Sequence, residues 1–420
     1  QFGQLALNRS RRKEAVAGID RLLLSLAGGY KLVVAGLYGG KGTPHPRLGD
    51  ALNRALEQLA YVMLDGCRFY REAQPSMVAE SHQLYRLARH YGLLGVAVRN
   101  EDAGTGPVAT AVYYHASMLL LLTDPARLAE GEAGLLFDVL LRHADKCRIV
   151  PGNSWEGQGE GLFLVDLRTD DLPVPCPRLD SPVNLPEPYL LDANPALQAL
   201  RQQLARIPAG VRMQSPEAMV LRRLLPEDLS TDRRRELRHG DDRHISLLNG
   251  LEQIHEYLSR AAGKAAARSA PAEPVRCRVL DSSQSGMRLS WEEGGAGDAR
   301  VGDLLGVLES QGGQQLRLAI IRSIRVHPQG GLETGVQLLA GGVGAVTCSQ
   351  PEMPEAAALH ALFMPASEGE RVNATLLAAK GLYAFGRNLR IDVGGREINV
   401  RAGRRVYDSP VFDRFEFAAQ

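Results

Sequence analysis

Val275–Trp291 reads VRCRVLDSSQSGMRLSW: two apolar runs, Val275–Leu280 and Met287–Trp291, flank the polar hexapeptide Asp281-Ser282-Ser283-Gln284-Ser285-Gly286. Short β-favouring runs around a cluster of Asp, Ser and Gly predict a strand, a turn and a returning antiparallel strand. Within the turn, Asp281, Ser283 and Gly286 are spaced D-x-S-x-x-G. A carboxylate there can accept the two adjacent donors of a guanine edge, and a hydroxyl can bond a phosphate oxygen or a base atom. Gly286 permits a positive φ and a close backbone approach. The same residues also make an ordinary hairpin turn, because Asp and Ser bond nearby backbone groups.

Outward from this hairpin the β pattern continues. Leu304–Glu309, Leu316–Val326 and Leu332–Leu339 are strand-like and are divided by Gly-Gly pairs at 294–295, 312–313 and 330–331. Short, closely spaced strands of this kind favour a small antiparallel barrel. Ile245–Leu248 predicts a strand before it and Leu251–Leu258 a short helix, with a flexible Ala/Gly/Lys-rich linker at 261–272. Beyond Pro354, Ala374–Leu377, Leu389–Val393 and Glu397–Val400 predict a small further β unit ending near Phe412–Phe417.

The first half is different. Ala15–Leu26, Leu48–Phe69, Met77–Leu93, Val108–Leu122 and Ala126–Cys147 carry apolar residues at three- and four-residue spacing, the mark of amphipathic helices. Short strands at Gly161–Asp166 and Pro188–Leu191 and helical stretches at 195–207 and 216–225 follow. The expected class is α+β, with a helical bundle over 1–150, a mixed connecting region over 151–229, a barrel over 230–347 and a small C-terminal β domain over 354–420.

Bulk properties bound the function. The chain has 420 residues, 45% of them hydrophobic, and a net charge of +1 from 49 basic and 48 acidic side chains. That balance gives no global field for nucleic acid or membrane surface, so any anion site must be local. The five cysteines are odd in number, far apart and without C-x-x-C spacing, which suits a reducing cytoplasm. The strongest apolar run, Ser117–Leu122, is far below the roughly 20 residues needed to span a bilayer.

A second constellation precedes the barrel. Arg234 and Arg238 form R-x-x-x-R, with Arg233 and Arg235 beside them. Planar guanidinium groups stack on purines and bond phosphates; equally, Asp232, Glu236, Asp241 and Asp242 could neutralise this segment as a solvated helix end. The ordered set R-x-x-x-R, strand, D-x-S-x-x-G and five strands ending in Glu333–Leu339 resembles the PilZ domain, a bacterial cyclic di-GMP receptor, over roughly 230–345. The layout of helical half, barrel and β tail is similar to FimW-type surface-attachment receptors.

The resemblance implies that Arg234 and Arg238 grip guanines and phosphates, and that Asp281, Ser283 and Gly286 form the other side of the site. Arg233 stands where PilZ proteins that take a stacked ligand dimer often carry an arginine. It further implies a non-enzymatic, cytoplasmic receptor without metal or cofactor, signalling to a protein partner such as pilus or motility machinery. The alternative is a ligand-independent PilZ-like interaction module. About forty residues separate Arg238 from Asp281, wider than is usual for the family, which keeps Arg235 and Arg243 as substitutes and Arg401/Arg405 as a second R-x-x-x-R.

Other signals carry less. Leu32–Thr43 suggests a strand entering a phosphate loop, yet Ala35 stands where a Walker motif needs glycine and Gly42 where it needs Ser or Thr. The ten histidines form no zinc-binding spacing. No nucleophile elbow is visible, and Tyr85, Tyr91, Tyr113 and Tyr114 read as core.

Overall fold

The computed structural model describes residues 9–38, 43–99, 106–152, 161–176, 189–208, 215, 218, 220–221, 239–263, 273–291, 299–309, 315–327, 331–352, 357–366 and 373–420. They fall into two compact units, Gln1–Arg233 and Arg234–Gln420.

The first unit is helical, as its periodicity predicts. It contains α1 (Arg9–Leu37), α2 (Leu48–Arg68), α3 (Pro75–His90), α4 (Thr110–Leu122), α5 (Glu132–His143) and α6 (Asn194–Arg206). Strands β1 (Ala97–Val98) and β2 (Val108–Ala109) pair, and β3 (Arg148–Pro151), β4 (Leu162–Val165), β5 (Val174–Pro175) and β6 (Tyr189–Asp192) form a sheet ordered β3-β6-β4-β5. Leu32–Leu37 is the last part of α1, with Val34 buried, so no strand leads into a phosphate loop there; Gly39–Gly42 lie outside the described residues. The apolar run Ser117–Leu122 belongs to α4, which is buried nearly all round and forms the centre of the bundle.

Several polar side chains in this core are hydrogen-bonded, although Asn53 Oδ1 is buried without a hydrogen-bond partner among the described residues. Asn53 Nδ2 donates to the Val96 and Val108 carbonyls (3.1 and 2.9 Å), and Tyr113 OH donates to Glu57 Oε1 at 2.9 Å. Arg54 closes the latter pair at 2.7 Å from Glu57 Oε2. Leaving such buried groups unpaired would cost more than the bonds contribute. Tyr85, Tyr113 and Tyr114 are core residues and Tyr91 packs at the core's edge.

The second unit contains β7 (His239–Gly240), β8 (His244–Asn249), α7 (Gly250–Ala261), β9 (Val275–Ser282), β10 (Gly286–Trp291), β11 (Leu304–Glu309), β12 (Gln315–Val326) and β13 (Leu332–Leu338). Strands pair in the order β10-β13-β12-β11-β8-β9, and β9 returns to β10, closing a six-stranded antiparallel barrel in which β7 continues along the same edge of β9 as β8.

A second closed barrel follows. β14 (Gly344–Ser349), β15 (Leu359–Met364), β16 (Thr375–Ala379), β17 (Asn388–Asp392), β18 (Glu397–Asp408) and β19 (Phe412–Ala419) pair as β14-β15-β16-β19-β18-β17. Gly344–Ser349, which the sequence grouping splits between the first barrel and a linker, pairs with β15 and β17 and so opens this ring. Full closure leaves no exposed edge for aberrant pairing.

Helix α7 binds the barrels to each other. Ile254 lies in one apolar cluster with Leu248, Leu304, Leu318 and Ile320 of the first barrel and Leu362, Met364, Leu377 and Phe412 of the second. His255 Nε2 faces the Val346 carbonyl at 3.1 Å, which makes it the donor, and its ring stacks on His360 with centroids 3.9 Å apart. Ser409 Oγ donates to the Gly302 carbonyl at 2.9 Å. Gly302 has φ +97°, and a Cβ there would lie 2.6 Å from Pro410 Cδ.

Candidate functional site

The hairpin predicted from sequence exists, and a β-bulge determines what it presents. Leu289 pairs with Val279, but Arg288 pairs with Asp281, so Leu280 is an extra residue on β9. Val279 and Leu289 point into the barrel core and are fully buried. In an unbroken strand Asp281, two residues after Val279, would share that inward face. The bulge re-aims it outward, beside Arg288.

Asp281 is thereby a half-buried carboxylate on the outer face, with Oδ2 2.8 Å from Arg288 Nε. Arg288 Nη1 lies 3.7 Å from Glu333 Oε2, and Glu333 Oε1 lies 3.1 Å from His327 Nε2. Charged groups thus run across β9, β10 and β13 from the turn to the far end of the β12–β13 hairpin. Sequence reasoning missed Arg288 and Glu333, since only strand register brings them to Asp281.

Ser283 closes the turn. Its amide donates to the Gly286 carbonyl at 2.8 Å, and its hydroxyl lies 3.3 Å from the same oxygen. Gly286 is buried, opens β10 and pairs with Gln337; it is not among the glycines of positive φ, so the expected left-handed backbone is not used there.

The segment before the barrel reaches the same place. His239 pairs with Ser282 and Gly240 with Asp281. Ser282 Oγ donates to Asp241 Oδ2 at 3.1 Å, and the Arg243 amide donates to Asp241 Oδ1 at 3.2 Å. Burial pushes the Asp241 carboxyl up, but the Arg243 amide, the Ser282 hydroxyl and the Arg243 charge outweigh it and hold the group below the usual carboxylate range. Arg233, Arg234, Arg235 and Arg238 lie outside the described residues.

Of the other arginines weighed, Arg243 is tied to Asp241 (3.5 Å) and Glu309 (3.4 Å). Arg401 and Arg405 sit on β18 in the other barrel, where Arg405 pairs with Asp408 (3.0 Å) and Asp413 (3.3 Å). Among the described residues no group of three or more His, Cys, Asp or Glu is placed to hold a metal, and no helix is long and apolar enough to cross a membrane.

Comparison with known families covers most of the chain. Residues 1–152 match the model of the N-terminal domain of the cyclic-di-GMP receptor FimW, 190–343 its middle PilZ domain, and 344–420 the FimW C-terminal beta-barrel domain. The chain belongs to the FimW family. The FimW boundary at 343/344 falls where β14 opens the second barrel. All six residues singled out from sequence fall within the FimW middle domain, and Arg401 and Arg405 fall outside it. A curated relative, the cyclic-di-GMP receptor FimW of Pseudomonas aeruginosa, is 26% identical over 141 residues, a stretch covering 33% of this chain and 23% of that protein. The match therefore spans less than a quarter of the relative's length.

Proposed function

We propose that this chain is a cytoplasmic, non-enzymatic cyclic di-GMP receptor whose site is built by Arg233, Arg234 and Arg238 on one side and Asp281 and Ser283 on the other. The observation that carries the reading is the pairing of β7 with the end of β9. His239 stands opposite Ser282. In sequence, β8, α7 and the segment before β9 lie between His239 and its partner Ser282.

In this reading the Asp281 carboxylate accepts the guanine edge, and the arginines stack on the bases and neutralise the phosphates. Ligand binding is the event passed to a protein partner in surface attachment, pilus function or motility. Titration calorimetry of the full chain with cyclic di-GMP at low salt tests the proposal: saturable binding that weakens as salt rises is expected, and absence of saturable heat overturns it. The competing reading, a ligand-independent interaction module, has one observation in its favour: Ser283 is already engaged in closing its own turn. Undiminished partner binding by an Arg238→Ala/Asp281→Ala double variant would favour it.

A further inference from the structure

We infer that the outer face of α1 is where a second copy of this chain docks, its helix antiparallel to the first and the two-fold axis passing at Gly29.

Helix α1 is held to its own unit along one side. Ala27 and Val34 are buried, and Leu23, Tyr30 and Leu37 pack against the same core. Asp20 Oδ1 lies 2.9 Å from Arg71 Nη2, and Lys31 Nζ lies 2.7 Å from Glu80 Oε2. The other side is bare. Leu32 is 76% exposed and Leu22 60%, with Leu26 and Val33 open beside them. From Leu22 to Tyr38 the one charged residue is Lys31, which is already paired. About 24 Å of helix therefore turns an apolar, uncharged face to water. Monomeric proteins rarely leave such a contiguous patch uncovered.

Three glycines shape this face. A Cβ at Gly18, Gly29 or Gly36 would meet no atom within 4 Å among the described residues. None of the three has a positive φ. Nothing within the fold calls for glycine there, although each weakens the helix relative to alanine. Bare positions on an outer face let a second helix approach closely.

Symmetry selects that second helix. In a two-fold contact the same patch serves both copies, so large residues must fall level with small ones. With antiparallel helices and the axis at Gly29, Leu22 falls level with Gly36 and Ser25 with Val33, while Gly29 meets itself. Arg21 falls level with Leu37, where the helix of the other copy ends. Arg21 is exposed and its Nε donates to the Ala17 carbonyl at 3.2 Å. The last turn of α1 holds no basic residue. Each copy thus brings a cation to the negative end of the other's helix.

Sedimentation equilibrium of the full chain tests this. The face is smaller than the roughly 800 Å² per partner of a standard interface, so a reversible dimer of micromolar or weaker affinity is expected. Leu32→Glu should weaken it by at least about tenfold, since each dimer would bury two carboxylates. Arg21→Ala should weaken it by about three- to tenfold, more at low salt than at high. Leu135→Glu, an exposed position on α5, should leave it unchanged. A short bismaleimide should link Gly29→Cys into a covalent dimer and leave Leu24→Cys unlinked, because Leu24 is about 15 Å from its counterpart along the helix axis. The five native cysteines are buried and do not compete.

A chain that stays monomeric up to about 200 µM overturns the inference and leaves the face to another protein or a lipid surface. A dimer that Leu32→Glu does not weaken overturns it, as does linkage of Leu24→Cys as readily as Gly29→Cys. Should Leu32→Glu lose the helical circular dichroism of the unaltered chain, the cross-linking pair decides. None of these measurements needs a ligand, so their outcome is separate from that of the receptor proposal.

Discussion

Acid should destabilise the helical unit through His115. This residue is 3% exposed in α4; its Nδ1 faces the Ala144 carbonyl at 3.1 Å and so must donate, which leaves Nε2 to accept from Tyr85 OH at 3.4 Å. Burial lowers its pKa from 6.5 to about 4. The imidazole is therefore neutral in the fold and charges on unfolding. Because the folded value is depressed, the unfolded chain binds more protons between the two, and stability falls as pH drops from 6.5 towards 4. Linkage gives a loss of about 2 kcal/mol by pH 5 and on the order of 3 kcal/mol by pH 4 from this residue. His82 is shifted the same way, chiefly by burial, and adds to the effect.

Urea unfolding followed by helical circular dichroism at several pH values reads this slope. His115→Asn keeps a donor for the Ala144 carbonyl and cannot titrate. It should be less stable at pH 7 by about 1 kcal/mol, from imperfect hydrogen bonding. Proton uptake on unfolding near pH 5 should fall by about one. An unaltered slope in the variant would refute the assignment, since His115 would then not be the group that charges.

Arg234→Ala, Arg238→Ala and Asp281→Ala should each weaken cyclic di-GMP binding by at least about tenfold in titration calorimetry, because each removes a charge-assisted partner; wild-type affinity in all three would sink the site. Gly302→Ala should lower thermal stability of the two-barrel unit by about 1–3 kcal/mol, since the new methyl meets Pro410 and the backbone is held at φ +97°; an unshifted melting curve would contradict that close approach. Phe412→Ala, a fully buried change in the cluster shared by both barrels, should cost about 3–5 kcal/mol and move a single unfolding transition. Two separate transitions, one of them unmoved, would show that the barrels unfold independently.

Local pattern revealed much of this molecule. Alternation and Gly-rich turns marked β9 to β13, three- and four-residue periodicity marked α2 to α4, and the polar hexapeptide marked the hairpin. Features set by distant pairing were less visible. β14 and β15 lie between Gly, Pro and Glu residues that read as connecting chain, and only their partners make them walls of a barrel. Leu280 looks like one more apolar strand residue, yet as the bulge it determines which way Asp281 faces. Arg288 reads as a solvent-facing charge until register sets it beside Asp281. Gly286 suggested a left-handed backbone because its neighbours are turn formers, but pairing with Gln337 drew it into the strand.

The cluster around Ile254 has a consequence for modularity. Each barrel closes its own hydrogen-bond ring, so by strand count either could be transplanted alone. The apolar seam forbids it: a fragment ending at residue 343 would uncover Leu248, Ile254, Leu304 and Ile320, and one beginning at 344 would uncover Leu362, Met364, Leu377 and Phe412. Wetting surfaces of that kind costs roughly 25 cal/mol per Å². Separating the two barrels therefore costs apolar burial that neither hydrogen-bond ring can restore.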